Sequence, residues 1–153
     1  MSAVAIARLI ASGGGLGHAP KASGTVASLA AVVVGALLLW LNPGFVALAA
    51  FAALVLGIWS IRAAGAVGDP GWVVIDEIAG QWVALLALAR PTLLGLGACF
   101  LLFRLLDITK PGPIGWADRQ RGPFAVMGDD LVAGLLTACI IWLAGQRYHW
   151  LLG

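Results

Sequence analysis

Charge is scarce in this chain, and negative charge is scarcer: of 153 residues only 10% are charged, and seven are Asp or Glu. So thin a charged coat, with 61% of residues hydrophobic and a mean hydropathy of +1.00, excludes a water-facing globule of ordinary polarity. The chain reads as an integral membrane protein. Cysteine is limited to Cys99 and Cys139, both inside apolar runs, which argues against a disulfide and leaves them as small packing residues. His18 and His149 lie near opposite ends, which excludes phosphohistidine chemistry and makes both loop or interface residues. A net charge of +2 without interleaved basic and aromatic residues excludes nucleic acid as a partner. The run Gly13-Gly14-Gly15 breaks the early apolar patch before it reaches the length of a cleavable signal peptide, so a short N-terminal interfacial helix is expected instead. No soluble domain, linker or repeat is visible, and residues 1–153 are expected to form a single all-α domain, a polytopic membrane bundle.

What is present begins with long apolar stretches. From Ala22 to Ile61 there are 40 consecutive residues without a formal charge, interrupted by Pro43 and Gly44 where a turn would fall. A helical hairpin is predicted there, Val26 to Leu41 and Phe45 to Ile61. Further candidate spans run from Trp72 to Ala89, Thr92 to Ile108 and Leu131 to Ala144, giving about five transmembrane helices, with four as the fallback. With five spans, Arg8, Lys21, Arg62, Arg104, Lys110, Arg119 and Arg121 share one side, and Arg90 and Arg147 take the other. Cytoplasmic loops retain basic residues, so the first side and the N-terminus are predicted to be cytoplasmic. Trp40, Trp59, Trp72 and Trp150 fall near span ends as an interfacial belt. Small residues at fourfold spacing, Ala31 with Gly35 and Gly80 with Ala84, predict close helix contact.

All the acids, Asp69, Asp76, Glu77, Asp107, Asp118, Asp129 and Asp130, are confined to positions 69–130. Carboxylates at the edge of a hydrocarbon phase are costly unless they face a wet cavity, pair with cations or hold a metal. In chain order, the first candidate segment is Pro20 to Thr25, where Lys21, the hydroxyls of Ser23 and Thr25 and free helix N–H groups suit a phosphate, though they equally suit an ordinary N-cap. In the second, Asp69 is predicted to cap a helix beginning at Pro70, with Asp76 and Glu77 in its first turns; such neighbouring like charges call for a cation, and Mg²⁺ takes oxygen ligands of this kind. In the third, Arg104, Asp107 and Lys110 are spaced to share one helical face before Pro111 and Pro113 turn the chain toward Asp118; a structural ion pair with a snorkelling lysine is the plainer reading. The fourth places Asp129 and Asp130 at the start of the last span, with Gly134 allowing close packing, a second ligand arm opposite Asp76 and Glu77.

The order and wording of these blocks resembles the phosphatidylglycerophosphatase A family of bacterial membrane phosphatases. The shared elements are Ser23-Gly24-Thr25 with Ser28-Leu29; Val74-Ile75-Asp76-Glu77 with Gly80; Phe103-Arg104, Asp107-Ile108 and Lys110-Pro111 with Pro113-Ile114; and Met127, Asp129-Asp130 and Ala133-Gly134. They cover most of the chain. Two departures stand out: Ser23 where the family has proline, and Arg121 to Ala125 where the family is glycine-rich. The resemblance implies a Mg²⁺-dependent phosphoric monoester hydrolase that converts phosphatidylglycerophosphate to phosphatidylglycerol and inorganic phosphate at the cytoplasmic face of the bacterial inner membrane.

On that reading Asp76, Glu77, Asp129 and Asp130 hold Mg²⁺. Arg104 and Lys110, with Lys21, Ser23, Thr25 and Asp118 lining the substrate, neutralise the phosphate. Either a carboxylate takes the proton of an attacking water, or Asp107, Asp129 or Asp130 forms an aspartyl-phosphate. The competing enzymatic reading is a lipid-headgroup transferase, which usually has a longer aspartate array. The competitor from another class is a small cation-coupled transporter or assembly subunit, whose path would need ionisable groups in both halves of the bilayer, whereas these acids gather on one side.

Overall fold

Helices start and stop where local chemistry dictates. The hairpin predicted around Pro43 is formed by α2 (Ser23–Leu41) and α3 (Pro43–Ala63). Asn42 makes the corner: its backbone is extended, its side-chain oxygen accepts from the Gly44 N–H at 2.8 Å, and Pro43 occupies the first helical position, where no N–H is needed. The computed structural model describes residues 2–66 and 70–148, and every regular element among them is helical: α1 (Ala3–Ala11), α2, α3, α4 (Ile75–Leu85), α5 (Leu93–Thr109), α6 (Pro113–Asp118) and α7 (Pro123–Arg147), with one short 3₁₀ turn at Leu16–His18. Asp69, His149 and Trp150 lie outside the described residues.

By length and composition, three helices suffice to cross a membrane: α2, α3 and α7, of 19, 21 and 25 residues. Their outer faces are apolar and exposed, at Leu37, Leu48, Phe51 and Trp142 among others, as a lipid-facing surface requires. At 17 residues, α5 reaches about 25 Å, slightly under the roughly 30 Å of a hydrocarbon core. The candidate span from Trp72 to Ala89 is helical only over the 11 residues of α4, about 16 Å, too short to cross alone. It packs against α2, α3, α5 and α7, and all its residues except Glu77 and Trp82 are buried.

Two helix starts differ from expectation. The helix predicted to begin at Pro70 begins at Ile75. Residues 70–74 are held as a turn instead, with Val73 N–H donating to Pro70 O at 2.8 Å and Val74 N–H to Ala11 O at 2.9 Å, which ties the segment to α1. The last helix starts at Pro123, not near Leu131, so Asp129 and Asp130 sit about two turns inside α7. At the N-terminus α1 turns Ala7 and Ala11 inward, packs on α3, and leaves Val4, Ile6 and Leu9 outward, the form expected of a short interfacial helix.

Lipid tails are as apolar as leucine, so burial alone gives helices little reason to associate; close packing supplies it. At the α4–α7 crossing, a Cβ on Gly134 would collide with the Gly80 carbonyl, and one on Gly80 would lie 2.5 Å from the Asp130 carbonyl oxygen. The two backbones touch because both residues lack side chains. The Gly35 face of α2 receives Leu85 and Trp82, whose indole N–H donates to Ala31 O at 2.9 Å. Phe103, Ile114, Leu85 and Cys99 fill the core between α4, α5, α6 and α7.

Candidate active site

The α4–α7 contact brings the acids together. Because Gly80 and Gly134 admit backbone against backbone, Asp130 faces the first turn of α4, and a carboxylate oxygen from each of Asp76, Glu77 and Asp130 lies within 4.8 Å of the others. A second triad within the same limit is formed by Asp107, Asp129 and Asp130, so Asp130 belongs to both. Asp76, Asp129 and Asp130 are only 4%, 6% and 3% exposed. The Asp76 carboxylate accepts from the Glu77 N–H at 3.1 Å, and one Glu77 oxygen, Oε2, is buried without a hydrogen-bond partner.

Two cations border this cluster. Arg104 Nη1 donates to Asp107 Oδ2 at 2.5 Å, one turn along α5, as the spacing predicted, while its Nε–H is buried and unpartnered. Lys110 does not continue that face. It caps α5 in the left-handed conformation, with φ of 45°, and this turns its ammonium away from Asp107 to Asp129 at 2.7 Å and to Asp118. A non-glycine residue there costs roughly 1–2 kcal/mol, the kind of strain that collects at functional sites. Burial disfavours charge on Lys110, but the hydrogen bonds it donates to Asp118 and Asp129 outweigh it and hold the ammonium above the ordinary lysine range. Asp118 thus orients a cation; it does not stand free in the site.

The first sequence segment arrives through Gly24. A Cβ at that position would collide with Glu77 Oε1 and come within 3.4 Å of Arg104 Nη1, so the start of α2 lies directly on the glutamate and the arginine. Thr25 follows, partly buried, in the first turn of α2. Ser23 donates its hydroxyl to Gly71 O at 2.8 Å and thereby fastens the start of α2 to the loop before α4. Lys21 is exposed two residues before α2. Gly122 and Pro123 start α7, and Phe124 stacks under Arg62 with the guanidinium carbon 4.8 Å from the ring centre.

Sequence reasoning missed Gln81 and Thr137. Both are fully buried in helices, and neither the Gln81 amide nor the Thr137 hydroxyl has a partner among the described residues. The available signal for Gln81 was its place four residues after Glu77 in an apolar run.

The donor set suits a hard divalent cation. Five carboxylates, Asp76, Glu77, Asp107, Asp129 and Asp130, lie in two triads that share Asp130, beside two cations, and supply the oxygen donors that such an ion takes. The Glu77 Oε2 atom is, besides, a buried acceptor to which nothing among the described residues donates.

Known proteins are similar to this chain along most of its length. The family model described as phosphatidylglycerophosphatase A matches residues 9–145. A phosphatidylglycerophosphatase A of Escherichia coli K12 is 36% identical over 149 residues, covering 95% of this chain and 86% of that protein. The Haemophilus influenzae protein of the same name is 34% identical over 140 residues, covering 88% of this chain and 85% of its own. A protein of Bacteroides thetaiotaomicron, provisionally named a phosphatidylinositol-3-phosphatase, is 34% identical and covers 95% of this chain and 94% of its own. No solved structure matches the chain.

Proposed function

The chain belongs to the phosphatidylglycerophosphatase A family, and we propose that this phosphoric monoester hydrolase removes the terminal phosphate of phosphatidylglycerophosphate, releasing phosphatidylglycerol and inorganic phosphate. The observation that carries the reading is the convergence of carboxylates from α4, α5 and α7 with Arg104 and Lys110 at one end of a membrane bundle. A lipid whose tails stay in the bilayer presents its headgroup there. The basic residues on the same side argue that this end faces the cytoplasm, in the inner membrane of a bacterium.

Asp76, Glu77, Asp129 and Asp130 are the residues we assign to Mg²⁺, with Asp107 adjoining the second triad. When bound, the ion supplies charge neutralisation at the phosphoryl oxygens and acidifies water. The protein's own groups do the rest. Arg104, steadied by Asp107, offers its guanidinium to the phosphate. Lys110, steadied by Asp118 and Asp129, places a point charge at the same mouth. The N–H groups at the start of α2, beside Gly24 and Thr25, face a region where negative charge is favoured. One carboxylate takes the proton of the attacking water as the new O–P bond forms; the bond from phosphorus to the glycerol oxygen breaks, and that oxygen takes up the proton which the carboxylate accepted.

The test is phosphate release from phosphatidylglycerophosphate by purified, detergent-solubilised protein, with Mg²⁺ or excess chelator, for wild type, Glu77→Gln and Asp130→Asn. Metal-dependent release that falls by more than about 100-fold in either variant is expected, the scale of removing one electrostatic stabiliser from a transition state. No release under any metal condition from folded protein would sink the proposal. The relative from Bacteroides thetaiotaomicron gives a second reading, a phosphatidylinositol monophosphate as substrate; assaying that lipid in parallel separates the two.

A further inference from the structure

Gln81 is the largest polar side chain that is fully buried and wholly unpartnered: it is 0% exposed, and neither its Nε2 nor its Oε1 has a hydrogen-bond partner among the described residues. Leaving a buried amide unsatisfied costs more than an ordinary hydrogen bond gives, so such a group calls for an explanation. Its position supplies one. Gln81 follows Glu77 by four residues on α4, which puts the two on one face with Cβ atoms about 5–6 Å apart. Long helical side chains lean toward the helix N-terminus, and two of equal length lean alike, so the Gln81 amide stays about one turn behind the Glu77 carboxylate, a separation that one bridging water spans. Glu77 Oε2 is itself buried and unpartnered, while Oε1 is on the side of Gly24 and Arg104. Two orphaned groups, one an acceptor and the other a donor and acceptor, therefore occupy adjacent turns of the same helix face.

We propose that Gln81 is a positioning residue of the phosphatase site, fixing the rotamer of Glu77 through one bridging water held between the amide and Oε2, and so setting the affinity for the divalent cation. The inference rests on the cation reading given above and goes beyond it, because it assigns a role to a residue that touches neither cation nor substrate. A water with the Gln81 amide and Glu77 Oε2 as partners has the two or more polar contacts that a buried water requires. Partners of this kind behind a ligating carboxylate typically set metal affinity by about 10–100-fold.

The test reads Mn²⁺ binding to the purified full chain without substrate, by electron paramagnetic resonance titration. Gln81→Met keeps the volume and removes the amide; its Mn²⁺ dissociation constant is expected to rise by about 10–100-fold. Gln81→Asn retains an amide one methylene further back and is expected to lose less. Thr137→Val removes the other fully buried, unpartnered side chain, from α7, and keeps its shape. Thr137 lies seven residues beyond Asp130, about 10 Å along the helix and out of reach of the carboxylates, so wild-type affinity is expected there. Wild-type Mn²⁺ affinity in a Gln81→Met protein with an unchanged melting temperature overturns the proposal. So does an equal loss in Thr137→Val, which would mark a general loosening of the core. Should the methionine variant not fold, wild-type affinity in Gln81→Asn overturns it instead. Wild-type protein that binds no Mn²⁺ would defeat the cation reading itself, a failure distinct from the others, and the role of Gln81 would fall with it.

Discussion

Adding one methyl group to Gly80 is the sharpest probe of this architecture, because that residue joins packing to chemistry. An alanine Cβ would stand 2.5 Å from the Asp130 carbonyl oxygen and 2.8 Å from Phe103 Cε2. An ordinary carbon–oxygen contact is about 3.3 Å, so α4 and α7 would have to separate by roughly 0.8 Å. Neither neighbour yields easily: one is backbone, and Phe103 is fully buried. Overpacking of this kind costs about 1–3 kcal/mol, against a helix-propensity gain of about 1 kcal/mol for replacing glycine, so the net loss of stability is modest. The loss of activity is not. Asp130 belongs to both carboxylate triads, and a displacement near 1 Å at a reacting centre is worth about 100-fold in rate. The assay is phosphate release from phosphatidylglycerophosphate, with thermal unfolding of the same preparations. Gly97→Ala on α5 is the control, since a Cβ there meets nothing within 4 Å, and it should leave both readouts at or above wild type. Wild-type turnover in folded Gly80→Ala would refute the claim that the α4–α7 contact sets the site.

Three further outcomes follow from the same geometry. Lys110→Met removes the cation bonded to the buried Asp129, and with Lys110 itself partly exposed the loss is expected near 2 kcal/mol, alongside a large fall in kcat/KM; an unchanged melting temperature would contradict the pairing. Because the partners hold the Lys110 ammonium above its ordinary value of 10.5, the stability it contributes is fully present below 10.5 and is lost only as pH rises through the higher folded value. The gap in melting temperature between wild type and Lys110→Met should therefore stay constant from about pH 7 to about pH 9, and a gap that closes in this interval would contradict it. Asn42→Ala, at the α2–α3 corner, should cost about 1 kcal/mol of stability while leaving turnover at wild-type level, so a selective loss of activity would place that corner in the catalytic machinery.

Much of this was legible in the residues because membrane segments advertise themselves. The charge-free stretch around Pro43 predicted the α2–α3 hairpin to within a few residues, and acids beside apolar runs marked the residues that the fold gathers into two triads. Legibility failed where tertiary contact overrode local pattern. The apolar run from Trp72 to Ala89 promised a span by hydropathy, yet α4 is apolar because protein surrounds it, and hydropathy cannot distinguish lipid from protein as the apolar neighbour. Asp107 and Lys110 have the spacing of a helical pair, but the left-handed turn at Lys110 sends the ammonium to Asp118 and Asp129, a partnership eight and nineteen residues away that no periodicity encodes. Gly24 has a structural reason that its place in the sequence does not show: the Glu77 carboxylate is pressed against it.

The shortness of α4 then has a physical logic. A helix that begins beside Gly24 of α2 sets the positive ends of two helix dipoles at one point, and Asp76 and Glu77 occupy the first turn of the second. Carboxylates are favoured at such a terminus even in surroundings that otherwise penalise them. Asp107 has the opposite situation, two residues before the end of α5, where the dipole disfavours negative charge, and it is the acid that carries the arginine. Asp129 and Asp130 lie beyond the first turn of α7 and gain little from its dipole; Asp129 has Lys110, and Asp130 sits among carboxylates from α4, α5 and its own helix. The acid shared by both triads is thus among those least compensated by the protein. That is where a divalent cation would add most, and it is why Asp130→Asn should reduce metal affinity more than Asp76→Asn, whose carboxylate also has the start of α4 to stabilise it.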